Sequence, residues 1–213
     1  TVFIDFDDSK APFVEKIEFD LESVGYALCI IDSGADHADL TDDYAAVPAE
    51  MRAVANFFGE SSLRRVLPET FMKEMPQLRK ALDFPHADRA IMRAAHYFAE
   101  NRRVTEQVEA LKNDDLQTFF QLIIASGRSS YCYLQNIFAR SDRQELSLGL
   151  MLGEQQLTGI GAWRVHGGGF GGTIQAFVPT DWAQSFAEGM DAVFGEGACG
   201  VYGVDHEGAK AWW

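Results

Sequence analysis

The sequence predicts an α+β sandwich, with a layer of helices on one mostly antiparallel sheet. Two observations carry this. Strand-like runs stand at both ends of the chain with helix-period segments between them, and a dense glycine block in the last quarter runs straight into another β-like run. The 213 residues are 47% hydrophobic, ample for a core, and suit one large domain or a little more.

Val2-Phe3-Ile4-Asp5-Phe6 and Glu15 to Asp20 read as two short strands around the turn Asp7-Asp8-Ser9-Lys10. Tyr26 to Ile31 is a continuous apolar run, a buried strand that leaves the sheet at Asp32-Ser33-Gly34 into an acidic loop. A helix is predicted over Asp42 to Phe58, closed by Gly59, with Pro48 tolerable only in a first turn or a break. From His86 to Lys112, residues Ile91, Ala94, Ala95, Phe98, Val104, Val108 and Leu111 share one helical face. Asn113-Asp114-Asp115 then supplies a stop and a new N-cap, and Leu116, Phe119, Phe120, Ile123 and Ile124 continue the period in a helical hairpin. Gly127 softens the helix before Tyr131 to Phe138, and a further helix spans Arg143 to Gln155 before a Thr158-Gly159 turn. Thr173 to Val178 is a strand ended by Pro179, Thr180-Asp181 caps a helix to about Phe194, and Ala198 to Val204 is the last strand.

A net charge of −14 argues against nucleic acid or an anionic membrane surface as partner, because both repel an acidic chain. No apolar run reaches the length of a membrane span. Cys29, Cys132 and Cys199 are far apart and odd in number, which reads as reduced cysteines of a cytosolic protein, two of them in the core. The chain opens on Thr1 in an extended pattern without methionine, as a cut fragment does.

The glycine block is the most chemically suggestive stretch. Five of the nine residues from Arg164 to Gly172 are glycine, which permits positive φ and the close approach of another backbone or a phosphate. Val165 and Phe170 set it apart from a polar flexible linker. No Lys-Ser/Thr follows, so it is not a Walker-type P-loop, and it lacks the strand, helix and distal acid of a dinucleotide site.

Arg164-Val165-His166-Gly167-Gly168-Gly169-Phe170-Gly171-Gly172 resembles the third motif of the GHMP small-molecule kinases, in the form Arg-Met-Thr-Gly-Gly-Gly-Phe-Gly-Gly that galactokinases carry. Val165 replaces Met, and His166 replaces Thr, a change that bears on loop packing and on how the site treats phosphate. Asp32 to Tyr44 is similar to the galactokinase segment Asn-Thr/Ser-x-x-Lys-His-x-x-x-x-Ser-Glu-Tyr-Asn: Ser33, His37 and Tyr44 agree and Asp43 keeps the acid before the tyrosine. Asp36 stands for a lysine, Ala45 for an asparagine and Val47-Pro48 for an arginine-rich start. Glu100-Asn101-Arg102-Arg103-Val104 and Ala110-Leu111-Lys112-Asn113-Asp114 are similar to a further helical stretch of that family.

The resemblance implies the C-terminal domain of a GHMP kinase over residues 1–213, a ferredoxin-like α/β sandwich with an antiparallel sheet covered by helices. It implies galactose as substrate, ATP and Mg²⁺ as cofactors of the intact enzyme, and an absent N-terminal domain that carries the phosphate loop and the catalytic aspartate. In that reading this chain holds no catalytic residue and binds no cofactor tightly, and it is inactive alone. Tyr44 is the sugar contact, Gly167, Gly168, Gly169, Phe170, Gly171 and Gly172 support the phosphate loop, and His37, Asp43 and His166 modulate the site. A second reading is a galactokinase paralogue that senses a ligand without catalysis. Separation from its other half is expected to expose an apolar face and favour a homodimer.

Three other constellations weigh less. The acids Asp32, Asp36, Asp39, Asp42 and Asp43 with His37 allow a divalent-metal site, against the commoner solvated loop, and no metal site is assigned. His96 and Glu100, one turn apart, read as a surface pair, and His206 beside Asp205 and Glu207 as a polar edge. Ser126-Gly127-Arg128-Ser129-Ser130 lies in helical sequence without an evident base, so no nucleophile is assigned.

Overall fold

The computed structural model describes residues 1–8, 10–35 and 40–203. Along the chain lie β1 (Val2–Asp5), β2 (Phe13–Lys16), β3 (Tyr26–Asp32), α1 (Thr41–Phe57), a 3₁₀ turn (Leu63–Arg65), α2 (Pro68–Ala81), α3 (Ala87–Lys112) and α4 (Leu116–Ser129). A π-turn (Ser130–Leu134), α5 (Glu145–Leu157), β4 (Ala162–Val165), β5 (Thr173–Pro179), α6 (Thr180–Phe194) and β6 (Cys199–Tyr202) follow. The predicted end of the last strand at Val204, and His206 with its neighbours, lie outside the described residues.

β3 to β6 form one antiparallel sheet in the spatial order β4-β5-β3-β6. With helices between β3 and β4 and again between β5 and β6, this is the βαββαβ arrangement of ferredoxin-like folds. The α+β class and the helix-covered antiparallel sheet are therefore present. Two details depart from the expected single layer. The β1–β2 hairpin forms a two-stranded sheet of its own, and helices cover both faces of the main sheet.

The double cover follows from β3, whose run Tyr26-Ala27-Leu28-Cys29-Ile30-Ile31 is apolar on both faces. Ala27, Cys29 and Ile31 join Trp163, Val165, Ile174, Ala176 and Val178 against α5 and α6, through Leu146, Leu157, Phe186 and Met190. On the other face Ala162, Tyr26 and Phe177 meet Phe119, Phe120 and Ile123 of α4. A separate core, with Val54, Phe71, Leu78, Ala90 and Ala94 at its centre, binds α1, α2 and α3 into a helical arm.

β2 starts at Phe13 and stops at Lys16, because Asp20 serves a turn instead: its carboxylate accepts from the Glu22 N–H at 3.0 Å and its carbonyl from the Ser23 hydroxyl at 2.8 Å. α1 passes through Pro48 well beyond its first turn, where proline removes one helical hydrogen bond without ending the helix. α2 had no counterpart in the sequence reading. Pro68 starts it, Phe71 and Leu78 face its core, and Pro76 in its interior masks the helical pattern. Asp115 caps α4 as expected, accepting from the Thr118 N–H at 3.0 Å. The stretch after Ser129 becomes a π-turn that closes with the Gln135 N–H on the Ser130 carbonyl at 2.8 Å, leaving Gln135 at φ 56°.

Candidate functional site

Arg164 and Val165 belong to β4, so the glycine loop proper starts at His166, whose N–H donates to the Thr173 carbonyl at 2.9 Å. The His166 ring pairs with the Thr173 hydroxyl at 3.0 Å, so the histidine that replaces the family's threonine closes the base of the loop from an exposed position. Gly167 and Gly168 are exposed, whereas Gly169, Phe170 and Gly171 are buried and Gly172 is half-buried.

The two predicted motifs meet here. The Ser33 N–H and hydroxyl both donate to the Gly172 carbonyl, at 3.2 and 2.8 Å, so the exit of β3 is tied to the exit of the glycine loop. Tyr44, in the first turns of α1, donates its hydroxyl to the Gly169 carbonyl at 2.5 Å and meets Phe170 edge-on, with ring centroids 5.1 Å apart. Burial raises the Tyr44 pKa above that of an ordinary phenol, so the ring stays neutral and able to donate. Asp43 lines two adjoining cavities of about 420 and 340 Å³ that share Ile137, Ala139 and Phe170. Arg140 and Arg143 line the larger, Arg89 and Arg93 the smaller. His37 and Asp36 lie outside the described residues.

Asn136 is the residue at this loop that the sequence did not disclose. Its Nδ2 donates to the Gly168 carbonyl at 3.0 Å and its own carbonyl accepts from the Phe170 N–H at 2.5 Å. Gly169, at φ 77°, presses so closely on Asn136 that a Cβ there would collide with its carbonyl and side-chain amide. Only a buried polar residue just after a helical run hints at the role in sequence, and Asn is common in such places.

Behind the loop, Glu50 of α1 binds Arg89 at 2.5 Å and Arg93 at 2.9 Å, and Arg93 Nε donates to the Leu134 carbonyl at 3.0 Å. Arg93 is 1% exposed, and desolvation lowers its pKa while the Glu50 charge opposes the shift. A guanidinium nevertheless remains charged at neutral pH.

A second, half-buried cluster anchors β4. Arg164 donates to the Ser126 hydroxyl at 2.5 Å, Ser126 to Glu100, and Arg103 pairs with Glu100. The helical stretch around Glu100 is thus joined to the arginine that opens the glycine motif, 3.6 Å from the Glu100 carboxylate. His96 is buried rather than on the surface and bonds the Ser129 hydroxyl at 2.9 Å, not Glu100. Ser126 and Ser129 therefore have polar partners, yet both are buried in helix packing, which suits adhesion and not nucleophilic attack.

Among the described residues no group of three or more His, Cys, Asp or Glu side chains is gathered for a metal ion, and no helix is long and apolar enough to cross a membrane. Cys29 and Cys199 are buried and Cys132 is exposed, all three as free thiols.

A βαββαβ sheet with a glycine loop between its middle strands defines the class: the fold is that of the GHMP small-molecule kinases, and a solved relative bears this out. The structure of Lactococcus lactis galactokinase complexed with galactose superposes with a TM-score of 0.72 over 95% of this chain and 50% of that one, at 21% identity. No family model matches. In sequence, the chain is 34% identical over 155 residues to the galactokinase of Actinobacillus pleuropneumoniae serotype 5b and 34% identical over 161 residues to that of Glaesserella parasuis serovar 5. The galactokinase of Haemophilus influenzae strain PittEE is also 34% identical, over 155 residues. Each alignment takes in 73 or 74% of this chain and 38% of the relative, so the chain spans well under half the length of the enzymes it resembles. Within the GHMP class, then, the chain is a relative of the galactokinases and corresponds to their C-terminal part.

Proposed function

We propose that the chain is the C-terminal half of an ATP- and Mg²⁺-dependent kinase that converts galactose to galactose 1-phosphate. The observation that carries the reading is the convergence of Ser33, Tyr44 and the Gly167–Gly172 loop, which stand apart in sequence and touch in the fold. ATP supplies the phosphoryl group: the sugar C1 oxygen bonds to the γ-phosphorus, the bond to the β-phosphate oxygen breaks to leave ADP, and the hydroxyl proton passes to a base outside this chain. The work left to these residues is alignment, the dominant demand of phosphoryl transfer. Tyr44 and Asp43 flank the sugar side, the glycine loop buttresses the phosphate side, and His166 and His37 adjust it.

Several features support an absent partner half. Val2, Phe6, Phe13 and Val14 of the hairpin region are each more than half exposed, an apolar surface that suits packing against the rest of such an enzyme or, in its absence, against a second copy. The charge of −14 fits a cytoplasmic protein that avoids nucleic acid and anionic membranes.

The test compares the 213-residue chain with a longer protein that contains it, each given ATP, Mg²⁺ and galactose. The expected result is galactose 1-phosphate from the longer protein alone. Robust turnover by the 213 residues overturns the assignment of catalysis to the other half. Galactose binding without turnover in the longer protein selects the ligand-sensing reading instead.

A further inference from the structure

We infer that Asn136 is a positioning residue for the glycine loop, holding it in the conformation that turns its backbone donors toward a phosphate. The inference rests on the kinase reading of the loop and adds to it a residue outside the motifs that suggested that reading.

The argument begins with the peptide unit. In a trans peptide the C=O and the following N–H point in opposite directions. Asn136 Nδ2 holds the Gly168 carbonyl at 3.0 Å, so the Gly169 N–H is sent away from Asn136. One unit later the Phe170 N–H returns to the Asn136 carbonyl at 2.5 Å, while the Gly169 carbonyl faces the Tyr44 hydroxyl on the opposite side. Two successive peptides are thereby fixed in alternating directions: the Phe170 N–H is spent on Asn136, and the Gly169 N–H, turned away from it, is the donor this pair can offer an anion. Phe170 sits at φ 61°, a left-handed conformation that a phenylalanine seldom adopts unless its surroundings enforce it.

The placement of Asn136 has its own support. The π-turn ends at Leu134, with its cap Gln135 directly before Asn136, and such turns concentrate at functional sites. Arg93 fastens the Leu134 carbonyl at the end of that turn and is itself held by Glu50, which lies on the same helix as Tyr44. The contacts therefore close a ring: α1, Arg93, the π-turn, Asn136, the glycine loop and back to Tyr44.

A further observation sets Asn136 apart from a residue that merely fills space. Asn136 is 3% exposed and its Oδ1 is buried without a hydrogen-bond partner among the described residues. Buried amide oxygens rarely go unpaired, and an asparagine chosen only to fill space is readily replaced by an apolar side chain. Here the unpaired acceptor lies beside a loop built to meet a ligand, while its amide nitrogen is committed to shaping that loop.

Asn136→Asp keeps the shape but removes the donor to Gly168. In the 213-residue chain, hydrogen exchange of the peptide covering residues 166–173 should accelerate about tenfold, the loss expected for one hydrogen bond, with a control peptide in α6 unchanged. Unchanged exchange in the loop, or an equal rise in the control, overturns the proposal. Should that variant not fold, Asn136→Ala, which also removes the donor to Gly168, carries the same comparison. In an active longer protein the variant should lower kcat roughly tenfold with KM for galactose within about twofold, since the lost contact acts on the phosphate side. A raised KM with kcat unchanged overturns it. If the longer protein phosphorylates no sugar at all, the kinase reading fails, and the exchange result still decides whether Asn136 holds the loop.

Discussion

Two clusters of arginine and glutamate bracket the glycine loop, a half-buried one at the strand that enters it and a more deeply buried one behind the helices that grip it. Glu100, Arg103, Ser126 and Arg164 glue β4 to α3 and α4. Ser126 is fully buried, and the cluster's polar atoms satisfy one another inside the packing. Glu50, Arg89 and Arg93 use the same chemistry, but Arg89 and Arg93 also line a cavity with Asp43 and Phe170, and Arg93 reaches the π-turn that delivers Asn136. Like side chains thus serve adhesion in one place and alignment in the other. What lies beyond the pair decides which.

The largest effect that separates the two is expected from Glu50→Gln. It strands Arg93 without its full counter-charge and should cost about 3–5 kcal/mol in denaturant unfolding, as breaking one side of a buried pair does. It should also quicken exchange in the glycine loop. Glu100→Gln, in a partly exposed cluster, should cost less, about 1–3 kcal/mol, and leave loop exchange unaltered. Equal loop effects from the two variants would erase the distinction.

Two glycines also stand at close contacts, Gly127 where α4 meets β4 and Gly169 against Asn136. A Cβ on Gly127 would sit 2.9 Å from the Arg164 Cβ, so Gly127→Ala should lower global stability by about 1–3 kcal/mol by overpacking the contact of α4 with β4. Gly169→Ala should disturb the loop more than the whole. Thermal midpoints set beside loop exchange resolve the two, and a larger midpoint loss for Gly169→Ala would reverse the assignment.

The smallest effect is a pH dependence. Burial, the largest cause, holds the His96 pKa below its ordinary value, with Arg103 and Arg164 pushing the same way and Glu100 and the Ser129 contact opposing. Because the folded protein takes the proton less readily than the unfolded chain, this contribution is whole above about pH 6.5 and is lost as the pH falls below it. The loss continues until the folded-state pKa is reached, at no more than about 1.4 kcal/mol per pH unit. His96→Gln should flatten the stability curve just below about pH 6.5 relative to the parent, and parallel curves would show that His96 does not titrate differently on folding.

Much of the fold was legible because its signals are local. The apolar run Tyr26 to Ile31, the Asp115 cap and the Pro179 stop each act within a few residues, and β3, α4 and β5 lie where these signals put them. α2 was hidden by Pro76, and β4 by its brevity beside a glycine block that drew attention to itself. At the site, Tyr44 and the glycine loop were legible through motif spacing. Asn136 was not, since its role depends on a π-turn and on a loop brought to it from later in the chain. The His96 environment was misjudged for a related reason: one turn of spacing identifies a neighbour on the same helix, not the α4 residue Ser129 that the buried His96 ring bonds.

The sheet order also constrains how the molecule is made. Along this chain β3 comes well before both of its partners: Cys29 pairs across to Ala176 on one side and Val201 on the other. A nascent chain thus carries an apolar strand with both edges unpaired until β5 has emerged and with one edge unpaired until β6 follows, while the helical arm, held by contacts nearer in sequence, is free to assemble early. Until then β3 is the segment that chaperones have most reason to hold.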